Sequence, residues 1–139
     1  MAENTVVKEQ LTEDMIEAGA RLTAKLDEVG LSVAAAMWLF MTESNEWRLI
    51  FASPELPTAG PHAVYRKIER ARQALGEKAA AAPMSAIGLL DPNDQLVQLL
   101  RTALKTSGGV SRVRFSKNAI NGHFIDDALL YRIAPQSTA

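Results

Sequence analysis

Two apolar runs, Val33 to Met41 and Trp47 to Ala52, flank a polar tip of Glu43, Ser44, Asn45 and Glu46, which is the pattern of a β-hairpin spanning Leu31 to Ala52. With those tip residues as the loop, Thr42 pairs with Trp47. One face then carries Trp38, Phe40, Leu49 and Phe51, and the other Met37, Leu39 and Ile50. A hairpin apolar on both faces must be covered on both or completed by a partner chain. The rest of the fold is expected to be arranged around it.

Leu11, Met15, Ala18, Leu22, Leu26 and Val29 fall on one stripe at helical spacing, with Glu13, Glu17 and Glu28 turned away. Thr12 suits the N-cap of this helix and Gly30 its end. After the hairpin, Pro54, Pro57 and Gly60 mark an exposed connection. Pro61 then opens a second helix with Val64, Ile68, Ala71 and Leu75 inward, closing near Gly76. Ala79 to Ala82 before Pro83 reads as a short linker or frayed turn, and Met84 to Leu90 as a short strand containing Gly88. Asp91, Pro92 and Asp94 form a helix-start signal, with Asp91 as cap, for a third helix burying Leu96, Leu99, Leu100, Ala103 and Leu104 and ending at Gly108 and Gly109.

The last segment, Val110 to Ile133, reads as a hairpin turning on Asn121 and Gly122. A two-residue turn pairs Ile120 with His123, Lys117 with Asp126, Ser116 with Asp127 and Val113 with Leu130. Val113, Phe115, Phe124, Ala128 and Leu130 share one face with Lys117 and Asp126. The opposite face mixes Arg112, Arg114, Ser116, Asn118, His123 and Asp127 with Ile125, Leu129 and Tyr131.

The expected fold is therefore a single α+β domain over residues 11–134, in the order α-β-β-α-β-α-β-β. It has a mixed or mostly antiparallel sheet of about five strands packed with three helices. A flexible N-terminal arm, residues 1–10, and a C-terminal tail, residues 135–139, flank it.

Composition narrows the chemistry. The 139 residues contain 47% hydrophobic and 22% charged residues with a formal net charge of −1, an ordinary globular balance that gathers neither nucleic acid nor anionic membrane over the whole surface. No cysteine is present, which excludes disulfides, thiol catalysis and iron–sulfur clusters, and with the absence of a signal-like N-terminus suggests a cytoplasmic protein. No apolar run approaches the roughly 20 residues of a membrane span.

Ser116, Asp127 and His123 place a hydroxyl, an acid and a base on one expected surface, the only candidate catalytic set. Ser116 lacks a nucleophile-elbow motif, and nothing is placed to orient His123. Asp126 and Asp127, as adjacent strand residues, point to opposite faces and cannot chelate one ion unless a bulge intervenes. Lys117 is the expected ion-pair partner of Asp126, and no metal or cofactor is expected. Lys105 to Gly109 inverts the order of a phosphate-binding loop, because its glycines follow the lysine and close a helix. A restriction-type nuclease layout fails at the second strand, Trp47 to Phe51, which has no acidic residue before a lysine.

Three readings of function follow. The preferred one is a non-enzymatic protein–protein interaction or homo-oligomeric assembly module that presents Trp38, Phe40, Trp47 and Phe51 to a protein partner or to itself. A second is a nucleic-acid-binding protein or nuclease using Arg66, Lys67, Arg70 and Arg72 of the second helix, extended by Arg112 and Arg114. A third is a small-ligand-binding domain with a pocket lined by Met37, Trp38 and Tyr131.

Overall fold

A computed structural model describes residues 7–104 and 109–134. Helix α1, Glu13–Glu28, begins where Thr12 accepts the Met15 amide at 3.2 Å and stops before Gly30, whose φ of 83° only glycine adopts readily. Strands β1, Ala35–Met41, and β2, Glu46–Ala52, form the expected hairpin. Its register differs from the expected one: Phe40 pairs with Trp47 and Met41 with Glu46, so the loop is 42–45. Asn45 takes φ 51° there, which tightens the turn. Each strand is displaced by one residue in opposite directions, so the facial assignment survives.

The connection to the second predicted helix is itself partly helical, α2, Glu55–Ala59, which makes four helices among the described residues rather than the expected three. Helix α3, Pro61–Leu75, buries Val64, Ile68 and Ala71. Two 3-10 turns, Gly76–Ala79 and Met84–Ala86, lead into β3, Ile87–Leu90. Helix α4, Gln95–Ala103, is capped by Asp94, which accepts the Leu96 amide at 2.9 Å. Asp91 instead accepts the Asn93 amide in the preceding turn. The helix buries Val97, Leu99 and Leu100 but leaves Ala103 exposed, and it stops there, short of the glycines expected to end it. Strands β4, Val113–Ile120, and β5, His123–Ile133, complete one five-stranded sheet in the order β3-β2-β1-β5-β4. Only the β2–β3 pair is parallel.

Helices α1 and α3 cover one face of this sheet. There Leu22, Leu26 and Ile68 pack on Trp38, Leu49, Phe51 and Tyr131, all fully buried. The aromatic tips are satisfied by the helix itself: Trp38 Nε1 donates to Met15 O at 3.0 Å and Tyr131 Oη to Ile16 O at 2.6 Å. Gly19 makes this approach feasible. A Cβ there would stand 2.6 Å from Trp38 Nε1 and closer still to the Tyr131 hydroxyl.

Among the described residues, the nine-residue α4 alone covers the other face, over Met37, Ile50, Ala128, Leu130 and Ile133. Leu39, Leu96, Val113, Phe115 and Ile120 remain only partly buried around it. The hairpin is therefore covered on both sides, but unequally.

Candidate functional site

The polar constellation of the β4–β5 hairpin forms around a break in its pleat. Ser116 pairs with Asp127 and Asn118 with Ile125 as the turn dictates, but Lys117, at φ 45°, makes no ladder pair with Asp126. Strand alternation fails at that point. The hairpin tip rotates, so Ile125 enters the α4-side core while Phe124, expected inside with Val113 and Phe115, is 65% exposed. The same rotation lets Asp126 and Asp127 converge. Their common partner is Lys8, with Nζ 2.7 Å from Asp126 Oδ2 and 3.0 Å from Asp127 Oδ2; the expected Lys117–Asp126 pair does not form.

Asp127 is the hub. It accepts Arg114 Nε at 2.6 Å and Nη2 at 2.7 Å, and Ser116 Oγ at 2.8 Å. Burial pushes its carboxyl up, but the bonds from Arg114, Ser116 and Lys8 outweigh that and hold it well below the usual carboxylate range. Hydrogen bonding to Asp126 raises the Lys8 ammonium in turn, with Asp127 adding to the effect and burial opposing it.

The cluster fastens residues 7–10, which were expected to lie in a loose arm. Asn45 donates to Val7 O at 2.9 Å and accepts the Glu9 amide at 3.0 Å, while Trp47 Nε1 donates to Glu9 O at 2.8 Å. Between those backbone contacts the Lys8 ammonium lies 4.6 Å from the Phe40 ring centroid and 5.9 Å from that of Trp47. The Arg114 guanidinium also lies over the Trp47 ring, 5.4 Å from its centroid. Beside this strap lies a cavity of about 340 Å³ bounded by Lys8, Gln10, Trp47, Arg114 and Asp127.

Of the candidate catalytic set, Ser116 and Asp127 come together and His123 is bonded elsewhere. Ser116 spends its proton on Asp127, and His123 lies across the pleat break, 3.1 Å from Gln95 of α4. The aromatic residues expected to face a partner are inside: Trp38 and Phe51 are fully buried, and Phe40 and Trp47 sit beneath the strap. All four share the α1 side of the hairpin, and its cover by α1, α3 and the strap is what removes them from the surface.

The basic set is split by topology. Arg66 and Arg70 are exposed on α3, but Lys67 pairs with Glu55 at 2.6 Å and Arg72 Nε donates to Ala82 O at 2.8 Å. Arg112 and Arg114 belong to the opposite edge of the sheet and are matched by Glu17 and Asp127. The expected pocket residues Met37, Trp38 and Tyr131 are fully buried core. The cleft of about 380 Å³ lies instead at the carboxyl ends of β2, β3 and β5, lined by Val33, Pro54, Asp91 and Arg101. The Lys105 to Gly109 stretch falls, except for Gly109, outside the described residues. Among the described residues no group of three or more acidic or histidine side chains is placed to hold a metal ion, and no helix is long and apolar enough to cross a membrane.

Sequence reasoning missed Lys8 and Asn45. Lys8 sits in a short polar stretch with no periodicity to place it. Asn45 looked like an ordinary turn residue, because its role depends on what the tip folds against.

Comparison of the chain with protein-family models, with curated proteins and with solved structures returns no match.

Proposed function

We propose that this protein is a non-enzymatic interaction module that assembles with a second copy of itself through the α4 side of the hairpin tips. One observation carries the reading. Phe124, 65% exposed, stands at the rim of a groove of about 210 Å³ whose lining includes Leu39, Met41, Leu96 and Ile125. An apolar knob and an apolar hole on one patch are self-complementary. A two-fold axis between copies would seat each Phe124 in the other's groove.

Two further facts support it. The β4–β5 pairing runs on to Ile120 and His123, whereas β1 leaves β5 at Ala128, so the tip overhangs the sheet and can reach across an interface. Thr42, Glu43 and Asp126 border the apolar centre, the polar rim that interfaces commonly carry. The acidic and basic groups around Asp127, by contrast, are committed to one another and to the strap.

Sedimentation velocity over a wide concentration range tests this. The expected result is a reversible dimer, weakened at least about tenfold by Phe124→Ser, as loss of a buried aromatic anchor implies. A strict monomer up to millimolar concentration, or a dimer indifferent to Phe124→Ser, would refute it.

A further inference from the structure

The strap on the opposite face carries a separate inference. Residues 7–10 are held in the way a bound peptide is held. Asn45 takes one acceptor and one donor from the segment's main chain, Val7 O and the Glu9 N–H, and the Trp47 indole takes a third group, Glu9 O. None of these contacts depends on which side chains the segment carries. Selection comes from the residue between them. Its side chain enters a cage of two rings, Phe40 and Trp47, whose centroids lie 5.3 Å apart, closed by the carboxylates of Asp126 and Asp127. Aromatic faces with paired carboxylates select a cation, and the geometry suits a primary ammonium on a long flexible stem.

The carboxylate pair is assembled at structural cost. Adjacent strand residues present both acids to one cation only because the pleat breaks at Lys117, in a left-handed backbone conformation unusual for lysine. The grip on the occupant is nevertheless partial, for the Lys8 side chain remains 40% exposed.

We propose that Phe40, Asn45, Trp47, Asp126 and Asp127 form a recognition site for an extended protein segment carrying a lysine, with the chain's own Val7–Gln10 as its resting occupant. Tethering gives the arm an effective concentration in the millimolar range, so a partner's segment gains the site only when it is abundant or when the arm is released. Neutralising Lys8, as acetylation does, is one such release. Phe40 and Asp126 also border the Phe124 groove, whereas Asn45, Trp47 and Asp127 do not, so the Trp47 indole reports on this site alone.

The chain has only two tryptophans, so its ¹⁵N–¹H spectrum has two indole signals, one from Trp38 under α1 and one from Trp47 in the site. The experiment uses the full chain carrying Lys8→Ala and Glu9→Pro, which removes the ammonium and the amide that Asn45 accepts. The probe is a capped peptide of the arm's own sequence, Thr-Val-Val-Lys-Glu-Gln. Saturable movement of the Trp47 indole signal with Trp38 unmoved is expected, at least tenfold weaker for wild-type protein and for a peptide with norleucine in place of lysine. No movement of the Trp47 signal, or equal affinity for the norleucine peptide, overturns the proposal. An unshifted Trp38 signal in the double variant confirms that the core is intact before peptide is added.

Discussion

On the α1 side of the β1–β2 hairpin, Trp38, Leu49 and Phe51 are fully buried beneath helices of 16 and 15 residues. On the α4 side, a helix of nine residues spans the same sheet, and Leu39, Leu96, Val113, Phe115 and Ile120 stay partly exposed at its margins. The two faces of the hairpin are alike in their apolar content, so the difference lies in the cover. A face sealed by two long helices, with indole and phenol tips bonded into the helix backbone, contributes stability. A face left half-sealed beside an exposed phenylalanine has surface to offer a partner.

The comparison can be broken most forcefully by truncation. Trp38→Ala, on the sealed face, is expected to cost about 3–5 kcal/mol in urea unfolding, whereas Leu96→Ala, on the half-sealed face, should cost about 1 kcal/mol because its side chain is only partly removed from water. Equal losses would show that the faces are energetically equivalent. Next in size is Gly19→Ala. A methyl group has no room against Trp38 Nε1 and the Tyr131 hydroxyl, and overpacking of this kind costs about 1–3 kcal/mol. Gly88→Ala is tight only against the movable Cδ1 of Ile50, with the Arg48 guanidinium at ordinary contact distance, and should cost less.

Asp127 sharpens the comparison at the strap. Its carboxyl is held below the ordinary range, so the folded state favours the ionised form more than the unfolded state does. The resulting stability is fully present above the unfolded value, roughly 3.9, and is lost as pH falls below that toward the depressed folded value. Asp127→Asn should flatten this acid limb in a pH series of melting temperatures. Asp127→Ala at neutral pH should cost about 2 kcal/mol, the usual scale for removing one member of a hydrogen-bonded charge cluster. The smallest expected effect is Phe124→Ser on the isolated monomer, within about 0.5 kcal/mol as for other exposed positions, measured at concentrations too low for dimer.

The fold was largely legible because its signals are periodic and local. The stripe from Leu11 to Val29, Pro61 at the start of α3 and the Asn121–Gly122 turn each specify an element without help from distant residues. The β1–β2 register was legible only in its faces, since nothing in the tip sequence distinguishes a loop at 42–45 from one shifted by a residue. Helix α2 is a five-residue segment containing Pro57, too short to show periodicity.

The sites were less legible, and beyond the long-range contacts of Lys8 and Asn45 the reason is one break in a strand. Alternation along Arg112 to Asp127 predicts faces correctly until the pleat breaks at Lys117 and Asp126, and beyond that point Ile125 and His123 turn to the α4 side while Phe124 is left exposed. That break exposes Phe124, brings Asp126 and Asp127 to Lys8 and separates His123 from Ser116. A left-handed lysine in mid-strand follows from tertiary packing of the tip on α4, through Ile120, Ile125 and the Gln95–His123 contact, and no local sequence feature announces it.

Amide hydrogen exchange at low and high protein concentration tests the inequality of the two faces most directly. Protection should rise with concentration at 39–43 in the β1–β2 tip and 118–125 in the β4–β5 tip, while amides of α1 and α3 stay unchanged. Gains on α1 or α3 with none at the tips would contradict the account, as would exchange independent of concentration throughout.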